Sequence, residues 1–350
     1  MNLPPELIPL LGTDCRISAA LALVNKHYNE AITPILYKNI FLYRLGVFKK
    51  LSNTLTTGHS RLRRYPRYLF ISYWYDSWEL IGHEPVMHIK QILMHAPNLS
   101  TLNLRIKEPV ARYLIETPQY PFKLRQLVMR PVQDATFVEF LKTQSEIEYV
   151  RLWASDNEKD WHTGPSPLQP DILPKLRSVQ SNETNVSFLL PYHPVTRVQV
   201  FGLLRDPEVH KQIAKSLAPL ESLSECIALS EHPWESGIIS QWLPSLEFCR
   251  SSLSEYSLDM YTVNPEIDSP SIILFFKERG SGPPYGLYTL RNGLSAFTTL
   301  RKFSLDLPSY NQSTLTPEFC RTVPELSRLE VWQESCPSLE EVKLFGVILK

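Results

Sequence analysis

Glycine is scarce in this chain of 350 residues, with 12 glycines against 29 prolines, where average usage is about 7% glycine and about 5% proline. Phosphate-cradling loops and two-residue hairpins both use glycine for positive backbone angles, so the shortage argues against both. Long apolar runs are missing too: none approaches the roughly 18 residues that a membrane-spanning helix needs. Neither sign of charge prevails, with 36 Lys plus Arg and 36 Asp plus Glu. No overall field directs the chain to nucleic acid or to an anionic bilayer, and neither is expected as a partner. The five cysteines, Cys15, Cys226, Cys249, Cys320 and Cys336, are odd in number and far apart. That suits reduced thiols better than a disulfide framework. The N-terminus lacks a basic segment leading into an apolar core and a cleavage site, so the expected compartment is cytoplasm or nucleus.

Catalytic and metal-binding patterns are equally thin. In "HEPVMH", His83 and His88 are five residues apart, about 140° around a helix, with Pro85 between them. "GSGPPYG" lacks the Lys-Ser/Thr of a phosphate loop, and no nucleophile-elbow pattern occurs. The expectation is a non-enzymatic chain with no catalytic residue, cofactor or metal. "RLRRYPR", Arg61 to Arg67, reads as a solvated basic loop rather than a localisation signal.

What the chain does have begins at its N-terminus. Asp14 is a candidate N-cap, and Ile17, Leu21, Val24, Tyr28 and Ile32 follow at helical spacing. Pro34 is expected to end that helix; "LPPELIPLL" before it and "PILYKNIFL" after it read as two further short helices. Three short helices in about forty residues bury too little surface to stand alone, so their apolar side chains need a neighbour.

This segment resembles the F-box, the module by which substrate adaptors of Skp–cullin–F-box ubiquitin ligases dock onto the Skp subunit. The resemblance rests on "LPPEL" at Leu3 to Leu7, "ALVNKHY" at Ala22 to Tyr28 and "PILYKNI" at Pro34 to Ile40. Pro9 inside the first helix, a short link to the second, and Tyr28 where Trp or Phe is common depart from the pattern. The resemblance implies an F-box-like module over residues 1–43, with Leu3, Pro4, Leu7, Ile8, Val24 and Tyr28 meeting a Skp subunit. The alternative is that this stripe seals the end of the following domain.

Residues 44–350 are repetitive. The pattern apolar-x-x-apolar-x-apolar occurs at Leu99/Leu102/Leu104, Leu124/Leu127/Met129, Ile147/Val150/Leu152, Val195/Val198/Val200, Leu300/Phe303/Leu305, Leu326/Leu329/Val331 and Leu339/Val342/Leu344, and more weakly from Leu176, Leu246 and Ile272. Spacings of 25, 23 and 26 residues between successive starts match the 20 to 29 of leucine-rich repeats. The body therefore resembles an irregular leucine-rich-repeat solenoid, α/β in class, with one strand per unit. It lacks the Asn or Cys ladder that stabilises turns in that family, so its turns must be satisfied case by case. "RYPRYLFISYWYDSW" is expected to be the first strand of the array, its aromatics packing over the N-terminal helices. No polar capping repeat follows "FGVILK", so the C-terminus is expected to be truncated or covered.

Side chains alternate along strands, so the columns beside the inner leucines face outward. They give Arg105, Arg130, Arg151, Trp153, Phe201 and Trp332 as candidate client-binding residues, of types that anchor protein interfaces and suit an acidic or phosphorylated segment. An ordinary polar sheet face is the plainer alternative. The function implied by the resemblance is a substrate-recruiting subunit, binding a Skp subunit and an unidentified protein client; a capped repeat scaffold is the alternative.

Overall fold

The computed structural model describes residues 15–58, 60–72, 83–116, 119–130, 135–153, 166–202, 207–229, 243, 246–262, 285–306, 327–344 and 346–350. The chain divides into two compact units, residues 1–156 with 171–175 and residues 157–170 with 176–350. Among the described residues no helix is long and apolar enough to cross a membrane.

The first unit opens with α1 (Cys15–Ala22) and α2 (Lys26–Lys38). The single helix expected from the 17-to-32 spacing is thus two. Asn25 interrupts it, its side chain accepting a hydrogen bond from the Tyr28 N–H at 2.9 Å as the N-cap of α2. Asn29 reaches back and donates to the Ala22 carbonyl at the end of α1. Pro34 lies inside α2 instead of ending it. The hydrogen bond it removes is outweighed by burial, because Ile35 and Leu36 continue the face packed on Tyr28 and Ile32. The expected third helix is therefore the last turn of α2 followed at once by strand β1 (Asn39–Leu42).

Strands β2 (Tyr68–Ser72), β3 (Thr101–Arg105), β4 (Gln126–Met129) and β5 (Tyr149–Leu152) follow β1 in spatial as well as chain order, every pair parallel. The segment around Tyr68 is thus the second strand, not the first. Between strands run α3 (Leu45–Thr57), α4 (His83–Met94), α5 (Glu108–Ile115) and α6 (Ala135–Lys142). Inward side chains stack in two register columns, Ile40–Leu69–Leu102–Leu127–Val150 and Leu42–Ile71–Leu104–Met129–Leu152. All ten are buried. The arginine run 61–67 is not a free loop: Ser60–Arg64 is a 3-10 helix, and Arg63 donates through Nε and Nη2 to the Leu55 and Thr56 carbonyls, 2.6 Å each. It caps the C-terminal end of α3, where unsatisfied carbonyls favour a cation.

The second unit repeats the plan. Parallel strands β6 (Ser178–Ser181), β7 (Arg197–Phe201), β8 (Ser222–Leu229), β9 (Glu255–Thr262), β10 (Lys302–Asp306) and β11 (Glu341–Leu344) again lie in chain order. An antiparallel β12 (Val347–Leu349) closes the series, with Gly346 at φ +86° in the turn before it. The helices of this unit are α7 (Glu183–Leu189), α8 (Pro207–Ile213), α9 (Tyr285–Leu294) and α10 (Leu329–Gln333), so residues 329–331, matched to the repeat pattern, are helical. The weak match at Leu246 forms a 3-10 helix instead of a strand, and that at Ile272 lies outside the described residues.

Sequential parallel strands in chain order, one per repeat, make both units leucine-rich-repeat-like. The missing Asn ladder is replaced by two devices. The carbonyl just ahead of a strand accepts two N–H groups from the next repeat, as Ser100 does from Arg125 and Gln126, and Glu221 from Ser254 and Glu255. Hydroxyls do the rest: Ser100 donates to Arg67, Ser254 to Glu221, Thr299 to Leu253 and Ser338 to Leu300, all carbonyl acceptors at 2.8 to 3.0 Å. Backbone groups at the repeat turns thereby find partners inside the protein.

Candidate protein-binding face

The outward side of β1–β5 carries three register rows. Tyr68, Thr101, Gln126 and Tyr149 form one; Phe41, Phe70, Asn103, Val128 and Arg151 form the next; Ser72 pairs with Arg105 in the third, which Arg130 and Trp153 extend one residue past β4 and β5. No Asp or Glu occupies any of these positions.

Arg105, Arg151 and Trp153 come together. The Arg151 guanidinium lies 3.6 Å and that of Arg105 4.8 Å from the Trp153 ring centre, and Arg105 also covers Phe70 at 5.4 Å. A guanidinium over an aromatic ring gains cation–π attraction. Burial raises the Tyr149 hydroxyl pKa, opposed by the adjacent Arg151 charge. Phe70 is covered in turn by Phe41 and Tyr43, ring centres 6.0 and 5.4 Å away. Those two rings are 51% and 58% exposed, a large apolar area to leave in water.

The other expected residues fall elsewhere. Arg130 is half-buried on the same side, and Phe201 is half-buried on the outward side of β7, in the second unit. Trp332 is a correction: it lies in α10, fully buried, its ring centre 5.5 Å from that of Phe303. Its six-residue pattern fits a helix turn as well as a strand, and the large apolar surface of the indole favours the core. Phe41, Tyr43 and Phe70 were missed because residues 34–42 read as helix and the aromatics near Tyr68 as packing for it; the alternation in "NIFLY" was the available signal.

Of the docking residues, Leu3, Pro4, Leu7 and Ile8 lie outside the described residues. Val24 is 62% exposed, and its neighbour Leu23, which the helical spacing did not single out, is 86% exposed. Tyr28 is the opposite of the expectation: it is buried as the centre of the α1–α2 contact, with Ile32, Leu21 and Leu36 around it.

The second unit's outward side differs in electrostatics. Lys302 pairs with Glu255 at 3.2 Å, and Lys343 with Asp306 at 2.7 Å. Asp259 stands in register beside Asp306, and its pKa is raised, first by burial and then by that neighbour. Among the described residues no group of three or more His, Cys, Asp or Glu is placed to hold a metal ion.

No protein-family model matches the chain. No curated protein matches it either. Among solved structures, the leucine-rich repeat-containing protein LegL7 from Legionella pneumophila is similar at 13% identity and a TM-score of 0.41, over 87% of this chain and 81% of that one. So distant a likeness adds nothing to what strand order and register already show.

Proposed function

We propose that the chain is a non-catalytic protein-binding scaffold that serves as the client-recruiting subunit of a Skp–cullin–F-box-type ubiquitin ligase. The observation that carries this reading is the apolar surface exposed at the α1–α2 junction, Leu23 and Val24, within the segment that resembles an F-box. Ile17, 49% exposed, adds to it. Apolar side chains left in water on a small helix pair favour burial against a partner. The aromatic and arginine face of β1–β5 is the client surface in this reading. Binding both partners on one chain raises the local concentration of client lysines near the conjugating enzyme, which supplies the chemistry.

One observation favours a second reading, a repeat scaffold whose N-terminal helices only close the array: α2 runs directly into β1, and both belong to the first compact unit. Affinity for a purified Skp subunit separates the two. The adaptor reading expects a complex that Leu7→Asp and Val24→Asp each weaken by about a hundredfold, roughly the effect of a charge at a buried contact, without change in the thermal melt. No binding by the wild-type chain leaves the scaffold.

A further inference from the structure

From Ala31 to Tyr75 the chain carries eight Lys or Arg and no Asp or Glu, where its overall share of 36 acids in 350 residues would place about five. The fold gathers four of these cations at the entries to β1 and β2. In the 3-10 helix Ser60–Arg64 three residues make a turn, so Arg61 and Arg64 share one side. Arg63, between them, is bound to the Leu55 and Thr56 carbonyls. Asn98 ties Arg64 to Arg67: its side chain donates to the Arg64 carbonyl at 2.9 Å, and its own carbonyl accepts from Arg67 Nη1 at 3.1 Å. The Arg67 backbone N–H donates to the Lys38 carbonyl at 2.9 Å, which sets Lys38 beside it. Arg61, Arg64, Arg67 and Lys38 are all exposed, and among the described residues none of them has an ion pair. Like charges so grouped repel. Elsewhere in the same unit cations are matched, Lys49 with Glu84, Arg112 with Glu108, Lys142 with Glu139 and Lys175 with Glu146.

We propose that this turn docks a short acidic segment of a partner protein, whose carboxylates bind the guanidinium groups of Arg61, Arg64 and Arg67 beside Lys38. Three arginines to one lysine suit the two-pronged contact that a guanidinium makes with a carboxylate. The Asn98 bonds hold the Arg67 side chain and the backbone from which Arg64 projects, so less freedom is lost when a carboxylate binds. The extent of the cluster decides against larger anions. Along the strand entries, the row runs on from Lys38 and Arg67 to Ser100, Arg125 and Glu148, and Glu146 interacts electrostatically with Arg125 and Lys123. Unmatched positive charge is thus confined to the entries of two strands, roughly 5 Å apart. A nucleic acid needs a longer track of cations, and an anionic bilayer would meet Glu148 as well. Lys38 ends the 13-residue α2 and Leu23 and Val24 precede it, which puts the two places roughly 20 Å apart. The proposal therefore does not rest on the Skp reading.

The test selects phage-displayed random dodecapeptides on the full chain after depletion on Arg61→Gln/Arg64→Gln, two side chains that make no hydrogen bond among the described residues. An unchanged melting temperature certifies that variant as folded. The surviving consensus should be rich in Asp and Glu. As a synthetic peptide followed by fluorescence anisotropy, it should bind the variant about tenfold more weakly than the wild type. Binding should weaken at high salt, be lost when the peptide's acids are exchanged for amides, and be indifferent to Arg197→Gln on β7. Failure to recover a consensus overturns the proposal, as does a consensus without acids. So does a preference of the cluster for another anion, read as an oligothymidylate or phosphatidylserine vesicles bound by wild type more tightly than the peptide and lost in Arg61→Gln/Arg64→Gln. None of these outcomes bears on Leu23 and Val24, so the Skp reading stands or falls separately.

Discussion

Glu225 stands in the inward column of the second unit, in register with Val200 and Leu258, and is fully buried. The Tyr256 hydroxyl donates to its Oε2 at 2.9 Å. A buried carboxylate that loses a donor keeps its desolvation cost, so Tyr256→Phe should destabilise by about 1–3 kcal/mol. Glu225→Leu should also destabilise, by stranding the hydroxyl, and the double variant should recover part of the loss; additive losses in a denaturation cycle would refute the coupling. The same carboxylate, after burial itself, pushes the neighbouring Cys249 thiol up to about 12. Thiolate is the reactive form, so iodoacetamide at pH 8 should leave Cys249 unmodified in the native protein and modify it after unfolding, as peptide mapping would read. Glu225 is also why β8 was not legible: a glutamate at the last apolar position breaks the pattern that β3, β4 and β5 keep, and Ser181 weakens β6 in the same way.

At the scale of elements, the strands that obeyed the repeat pattern were legible because both inward positions are hydrocarbon. The failures have local causes. Leu253, Tyr256 and Leu258 fit the pattern of β9, but the Pro-led "LPSLEF" seven residues earlier drew the assignment. Over residues 329–331 period two and helical spacing cannot be told apart. At Pro34, tertiary packing overrides a helix breaker. Strand pairing also creates effects no single strand predicts: β9 and β10 set Asp259 beside Asp306. A folded pKa above the unfolded value near 3.8 means the native state binds the proton more tightly. The resulting stability is complete below the unfolded pKa and is lost as pH rises through the folded one. At pH 7 the ionised Asp259 therefore costs stability, and Asp259→Asn should raise the melting temperature there, by less than about 1 kcal/mol in stability for a half-exposed group. That gain should vanish below pH 4; a variant less stable than wild type at pH 7 would contradict it.

For the molecule as a whole, repeat spacing showed the α/β array in advance, since each unit needs its neighbours to bury a common column of side chains. The candidate protein-binding face was legible only in part. Strand alternation placed Arg105, Arg151 and Trp153 on one side, but that Phe41, Tyr43 and Phe70 join them depends on the register of β1 and β2, which no local pattern encodes. The most direct measurement of the proposed adaptor role is the dissociation constant for a purified Skp subunit, on wild type and on a Val24→Asp variant of unchanged melting temperature. The expected result is binding by wild type that Val24→Asp weakens by about tenfold or more, as befits a central contact. No binding by the folded wild-type chain, or equal binding by both, would contradict the adaptor reading.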